Sequence, residues 1–495
     1  MSPVTSAEAP GRIQPVPGWA WALLAALAAY IIAMYGWVMR LVVGPSAVLM
    51  PWLLRQPGYR LYENVYLPYM PGYAWLGMGA SLLIHDPLLR ARLLMIVSML
   101  LELGLVVGLA RRWWGLIPAL AGAALYAAWG PVFMDRPFYL EVPLGLFSLL
   151  AVLVWHRAGN RWYHPLLAGL LVGCAVLMKQ QGLAVAAVFV IWRLLSLFAE
   201  PDWKLALRDI ALFLAGFALP TGLTALVLAA ESQLDNLIYW TWSYALGNPF
   251  ERRTILDLDR REQAILMAWL AFAPVFLLHT IRRREQWRGE GILLLGLLAA
   301  TLTPIYPLYG RFHLSAATPF VALLGAGGVA ALLPVLRQNG WPAWGARLYA
   351  AGGVLLLLVA FALPTYYRVK LGPLIGEYGP LHPVGGWLQA EGVEPGTRVW
   401  VLPEIDPTAN LVALGGYLPP TVWVQTYPWF QEVPGMPEQV ITAVEAAPPR
   451  YVVVFERWRE MLPPPFEVTI AAHYVPVGQV EAGADYGLVT VYALE

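Results

Sequence analysis

What most constrains this chain is the recurrence of apolar segments about as long as a bilayer is thick. A hydrocarbon core about 30 Å deep needs roughly 20 apolar residues per helix. Runs of that kind lie near 18–43, 89–110, 114–133, 141–157, 163–179, 182–199, 208–230, 263–281, 290–309, 312–335 and 344–367. They predict a polytopic α-helical membrane protein of about 11 spans. Composition agrees. Apolar types make up 59% of the chain and charged types 13%, against about 45–50% and 25% in soluble domains. A mean hydropathy of +0.59 implies more apolar surface than a soluble fold hides. A soluble enzyme, a disordered regulator and a disulfide-stapled secreted domain are excluded. The formal net charge of +1 gives no electrostatic case for nucleic acid. Cys174 is the single cysteine, so neither a disulfide framework nor a thiolate metal cluster is available.

Residues 1–17 are expected to form a cytoplasmic tail and residues 18–369 a transmembrane domain. The first apolar run is too long for a signal-peptide core, and no cleavage site precedes it, so it reads as a retained helix. Sidedness follows from the Lys/Arg bias of the loops. With the N-terminus inside, the inner loops carry Arg111, Arg112, Arg157, Arg161, Arg193, Lys204, Arg208, Arg282, Arg283, Arg284, Arg288, Arg337 and Arg347. The outer loops, chiefly 44–88 and 131–143, hold Glu63, Asp135 and Glu141, with mixed charge at 251–262; Arg40, Arg55, Arg60, Arg252 and Arg253 also fall outside, so the rule holds on balance. The chain is therefore expected as a multi-pass protein of the cell membrane, with its C-terminus outside. After about residue 370 the texture changes. Short β-type runs (398–402, 421–424, 451–455 and 488–492) alternate with helical stretches such as 383–391 and 436–447. That alternation predicts a small extracytoplasmic α/β domain over 370–495. It carries no Gly-rich phosphate loop, which suits a lid or docking module.

Chemistry is sought among groups that are costly to place in a membrane. Glu102, near the centre of the second span, is either functional or bonded to a polar group of a neighbouring helix. The outer segment Leu53–Tyr73 is dense in tyrosine and carries Glu63. Aromatic faces with hydroxyl handles suit sugars, and they equally suit an interfacial aromatic belt. Met134–Pro143 places Asp135 and Glu141 around Arg136, as a general base, a metal ligand or a solvated ion pair. Lys179-Gln180-Gln181 and Tyr309-Gly310-Arg311-Phe312-His313 each put a cation at the outer interface, able to hold phosphate or to snorkel.

In order along the chain, these features resemble the GT-C superfamily of membrane glycosyltransferases, and within it the protein O-mannosyltransferase and aminoarabinose-transferase branch. Leu53-Leu54, Gly58 and Tyr62-Glu63-Asn64, then Pro68 and Pro71, are similar to the family's first outer loop. Asp86 to Arg92 resembles its arginine-bearing lead into span two, and Glu141-Val142-Pro143 its acid-x-Pro start of span four. Leu177-Met178-Lys179-Gln180 resembles the motif after span five, and Arg311-Phe312-His313-Leu314 with Pro319 the Arg-Tyr-x-Leu-Pro segment. The family's catalytic Asp stands after span one, where this chain has Val42 to Pro51 and no carboxylate. The aminoarabinose branch's Lys-Pro-Pro is replaced by Tyr69-Met70-Pro71-Gly72.

The resemblance implies a GT-C-like fold and inverting transfer of a sugar from a polyprenyl-phosphate donor to a lipid, glycan or protein acceptor outside the cytoplasm. It further implies a catalytic base among Glu63, Glu141 and Asp135, expected in that order, with Lys179 and Arg311 holding the donor phosphate. Tyr62, Tyr66, Tyr69, Gln180 and His313 are the expected sugar or acceptor contacts, and a divalent cation is a possible cofactor with no ligand set assigned. Two other classes stay open: an inactive protein that binds or assembles lipid-linked sugars, and a transporter, which internal repeats and broken mid-membrane helices would mark.

Overall fold

The computed structural model describes residues 15–38, 48–133, 140–156, 161–198, 202–244, 258–282, 290–303, 310–371, 381–404, 408–424, 433–483 and 486–495. The membrane part runs α1 (Gly18–Ala33), α2 (Leu49–Leu53), α3 (Gly72–Ser81), α4 (Pro87–Trp114), α5 (Leu116–Phe133), α6 (Glu141–Trp155), α7 (Tyr163–Met178), α8 (Gly182–Leu195), α9 (Trp203–Ala230), α10 (Leu234–Ile238), α11 (Arg260–Trp269), α12 (Ala273–Arg282), α13 (Glu290–Leu302), α14 (Thr318–Leu336) and α15 (Trp341–Leu371). Among the described residues, six helical segments are long and apolar enough to cross a bilayer: Gly18–Gly36, α4, α5, α9, Arg311–Leu336 and Pro342–Tyr366. The apolar helices α6, α7, α8 and Gly291–Leu302 are shorter.

The expected runs and the observed helices differ in instructive places. The run at 263–281 is two helices of ten residues each, α11 and α12. Pro274 explains the break, since it has no N–H to donate back to Leu270 and disfavours helical backbone just before it. The run at 312–335 opens as a 3₁₀ turn, Arg311–Ala317, before α14, which swings His313 off the helix axis. The outer segment 44–88, expected as a loop, contains α2 and α3.

α5 is the most buried of the six and α15 the least, so α5 lies inside the bundle and α15 faces lipid. Close packing between helices of a membrane protein relies on small residues at the contact. The α7–α9 pair shows this. A Cβ added at Gly169 would sit 1.9 Å from the Phe213 carbonyl oxygen, and one at Gly216 would sit 1.9 Å from that of Leu166.

The C-terminal part comprises α16 (His382–Ala390), β1 (Val399–Leu402), α17 (Asn410–Gly415), α18 (Met436–Ala446), β2 (Tyr451–Phe455), α19 (Pro464–His473), β3 (Tyr474–Glu481) and β4 (Leu488–Leu494). Its sheet has the order β1-β2-β4-β3. β1 and β2 are parallel, with Val399 opposite Tyr451, and the other two pairings are antiparallel. β1 and β2 are buried throughout, whereas β3 is mostly exposed. That matches the unbroken apolar runs of the first two and the edge position of the third, where a bulge falls between Pro476 and Gly478. An edge is where a strand tolerates a proline.

Backbone bonds sew this module to the segment after α2. The Tyr66 amide donates to the Trp423 carbonyl at 3.1 Å and the Trp423 amide to that of Asn64 at 2.8 Å. The Tyr59 hydroxyl donates to the Pro419 carbonyl at 2.6 Å. Glu404 lies buried at this seam, within electrostatic reach of Tyr59 and Trp423. Burial pushes the Tyr59 hydroxyl up to about 12 and holds the Glu404 carboxyl well above the usual carboxylate range.

Candidate active site

Alternating helices bring three chain segments to one end of the bundle: the start of α6, the end of α7 and the 3₁₀ turn before α14. Glu141 is in the first turn of α6. Lys179 follows α7 in extended backbone, at φ −155° and ψ 135°. His313 belongs to the 3₁₀ turn. Their side chains meet. Glu141 Oε1 accepts from Lys179 Nζ and lies 2.5 Å from His313 Nδ1, while Lys179 Nζ is 3.2 Å from the same ring nitrogen. The carboxylate is fully buried and the ammonium and imidazole nearly so. Burying a lysine and a glutamate this deeply is sustainable only when each is paired. The second carboxylate oxygen, Glu141 Oε2, is buried without a hydrogen-bond partner among the described residues.

The tyrosine segment roofs this cluster. Lys179 Nζ stands 5.6 Å from the centre of the Tyr69 ring, a cation–π distance. Tyr62 is fully buried, and its hydroxyl donates to the Tyr69 carbonyl at 2.5 Å. Its own carbonyl accepts from Asn236 Nδ2 at 2.9 Å. Tyr62 also has φ +64°, a backbone region that costs a bulky residue energy and persists where surrounding contacts enforce it. Tyr62 therefore presents no face for stacking in this conformation; it fixes Tyr69. Tyr66 is half-buried with its ring 5.0 Å from that of Trp240. Gln180 Nε2 donates to the Thr241 carbonyl at 3.2 Å and to that of Pro68 at 3.4 Å, tying the end of α7 to both neighbours.

The other expected site residues are distributed elsewhere. Glu63 is exposed and pairs with Arg60 at 3.3 Å. Asp135 lies outside the described residues. Arg311 makes a forked ion pair with Glu262 of α11, Nε lying 2.8 and 2.9 Å from the two carboxylate oxygens. Sequence reading missed Glu262, 49 positions away, because nothing local marks it as the partner. Glu102 is fully buried and accepts the Tyr126 hydroxyl at 2.7 Å, which is the helix-to-helix polar bond weighed above.

No protein-family model matches the chain, and no curated protein matches it in sequence. Solved structures do. ArnT from Cupriavidus metallidurans bound to undecaprenyl phosphate aligns over 96% of this chain and 98% of its own, with a TM-score of 0.63 at 16% identity. The archaeal oligosaccharyltransferase AglB from Archaeoglobus fulgidus, in complex with an inhibitory peptide and a dolichol-phosphate, aligns over 89% and 70%, with a TM-score of 0.51 at 14% identity. The arabinofuranosyltransferase AftD from Mycobacteria aligns over 96% and 41%, with a TM-score of 0.53 at 16% identity. The chain therefore shares the fold of these solved structures, the fold that the order of the sequence motifs implied.

Proposed function

We propose that the chain transfers a sugar from a polyprenyl-phosphate donor to an acceptor on the extracytoplasmic face, with inversion at the anomeric carbon. The observation that carries this reading is the convergence of Glu141, Lys179 and His313 from three separate segments on a fold shared with proteins bound to undecaprenyl phosphate and dolichol-phosphate. The acceptor hydroxyl oxygen forms the new bond to the anomeric carbon as the bond from that carbon to the phosphate oxygen breaks. The hydroxyl proton goes to a base, and the polyprenyl phosphate leaves with the electron pair of the broken bond. Cations opposite the leaving phosphate stabilise its developing charge.

Glu141 is the favoured base of the three candidate carboxylates. Its Oε2 has no partner to give up among the described residues, while Glu63 sits in solvent beside Arg60. Lys179 neutralises Glu141 at rest. When the donor phosphate draws the ammonium onto itself, the carboxylate becomes free to accept the proton, so donor binding and base activation are one event. His313 holds Glu141 Oε1 during that exchange, and Tyr69 flanks the ammonium. Arg311 is the second phosphate ligand, released from Glu262. A divalent cation does not fit this cluster: Glu141 already carries an ammonium and an imidazole, and among the described residues no three His, Cys, Asp or Glu side chains converge. No step is routed through a metal.

The decisive experiment is radiolabel transfer from an isolated polyprenyl-phosphate sugar. Glu141→Gln is expected to lose about 10²–10⁴-fold in rate, the range for a lost general base, with donor binding retained. Rates within about tenfold of wild type would take the base role from Glu141, and absence of transfer by the wild-type chain would return it to a binding or assembly role. The proposed orientation, with about 11 spans and residues 370–495 outside, is tested by cysteine labelling on a Cys174→Ala background. Impermeant reagent in intact cells is expected to reach Glu438→Cys and not Gln338→Cys; the reverse pattern overturns it.

A further inference from the structure

The corner formed by α2, α3 and α4 carries more positive charge than its one carboxylate among the described residues, Asp86, balances. Arg90, in the first turn of α4, is 1% exposed. Its side chain's one hydrogen bond among the described residues is long, from Nη2 to the Val48 carbonyl at 3.4 Å. Its Nε is buried without a hydrogen-bond partner among the described residues. Arg55, two residues past α2, is exposed and donates from Nη1 to the carbonyl and hydroxyl of Ser81, each at 3.1 Å. Neither acceptor carries charge. The two guanidiniums are near enough to repel each other. The carboxylate that acts on Arg90, Asp86, is committed as the helix N-cap, accepting the Leu89 amide at 2.7 Å. Segment 39–47 supplies no acid by sequence, since its charged residue is Arg40.

A buried guanidinium with no carboxylate hydrogen-bonded to it is expensive to maintain, and arginine is seldom fully buried unless paired. Its rigid fork of donors matches the oxygens of a phosphate. The surroundings say where such a phosphate comes from. Directly after Ser81 the link to α4 carries Leu82 and Leu83, 69% and 86% exposed. Bare leucines beside arginines mark a membrane interface, with apolar tips among acyl chains and cations at headgroup level. The corner is built from α2, α3 and the start of α4, whereas Glu141, Lys179 and His313 come from α6, the end of α7 and the turn before α14.

We propose that Arg90 and Arg55 form a lipid-phosphate site at the bilayer interface, distinct from the Glu141–Lys179–His313 cluster. Arg90 supplies the fixed, desolvated donors and Arg55 the outer, mobile one, with Leu82 and Leu83 beside the lipid's acyl chains. Two lipids present this chemistry: an anionic phospholipid of the bilayer and a polyprenyl monophosphate.

The test is native mass spectrometry of the full chain in neutral detergent. The probes are short-chain phosphatidic acid, phosphatidylglycerol and a polyprenyl monophosphate, with zwitterionic phosphatidylcholine as control. Arg90→Gln is expected to weaken retention of at least one phosphate lipid by about tenfold, the loss of one strong charge-assisted contact. Arg55→Gln is expected to weaken it less, and Lys179→Met to leave retention of phosphatidic acid and phosphatidylglycerol unchanged. Weakening of phosphatidic acid and phosphatidylglycerol alone assigns a bilayer headgroup; weakening of the polyprenyl lipid alone assigns the carrier; weakening of both assigns a site open to either. Should Arg90→Gln fail to fold, the exposed Arg55→Gln decides alone. Unchanged retention of every phosphate lipid in the folded variants overturns the proposal.

Discussion

Glu63 and Glu141 are carboxylates on the same flank of the membrane domain, and their surroundings could hardly differ more. Glu63 lies among tyrosines in sequence, yet its side chain points to solvent beside an exposed arginine. Glu141 opens an apolar helix, with only Leu140 and Val142 as neighbours in sequence, yet it is fully buried against a lysine and a histidine from distant segments. The lesson concerns solvent. Water screens the first pair until it contributes little, while exclusion of water makes every charge in the second cluster consequential. A carboxylate's chemical value is set by what excludes water from it, and its neighbours in sequence do not report that.

The sharpest way to break this contrast is kinetic. Glu141→Gln is expected to cost about 10²–10⁴-fold in transfer rate, and Glu63→Gln less than about tenfold, in a matched turnover assay with folded, donor-binding protein. The opposite ranking would move the base to the tyrosine segment.

Stability offers a second test. Removing one member of a buried pair strands the other, typically at about 3–5 kcal/mol. Lys179→Met alone is therefore expected to lower the unfolding midpoint more than the double variant Lys179→Met/Glu141→Gln, which strands no charge. Thermal unfolding in detergent measures this. A double variant as unstable as the sum of its parts would mean the pair is not coupled.

The seam between the tyrosine segment and the C-terminal module extends the comparison through pH. The Glu404 carboxyl is held well above its ordinary value of 4.5 by burial. The folded state thus binds this proton more tightly than the unfolded state, and linkage makes the contribution favourable at low pH. Stability from this group is expected to be fully present below about 4.5 and to fall as pH rises from there toward the folded value. Glu404→Gln is expected to flatten that part of the profile and to raise the midpoint at neutral pH. Melting curves from pH 4 to 9 check it, and a Glu404→Gln profile as steep as wild type would remove Glu404 as the cause.

The smallest effect is expected where the comparison began. Exposed ion pairs contribute about 0–1 kcal/mol, so Arg60→Gln is expected to leave the unfolding midpoint nearly unchanged. A large shift would mean that the tyrosine segment depends on a charge the structure shows in solvent.

Much of the architecture was legible from residues alone. Apolar length marks a membrane helix because the bilayer leaves the backbone few other ways to satisfy its hydrogen bonds, and each of the 11 runs contains helix. The change of texture near residue 370 located three of the four strands, because buried β-runs such as Tyr451–Phe455 are unbroken apolar stretches. The edge strand β3 went unmarked, and the run at 421–424 forms only an isolated bridge at Trp423. Lys179, Glu141, His313 and Arg311 were each visible as polar residues at span ends. Their partnerships were not. Glu141 and His313 stand 172 positions apart and Glu141 and Lys179 38 apart, and a helix end exposes no local signal of which other end it will meet. The same blindness placed Tyr62 among the sugar or acceptor contacts, whereas packing turned it inward to hold Tyr69, and left Arg311 without its Glu262. Hydrophobicity and helix periodicity act over neighbours, so sequence determined where the helices are. Pairing of charges is a property of distance in space, and only the tertiary structure decided it.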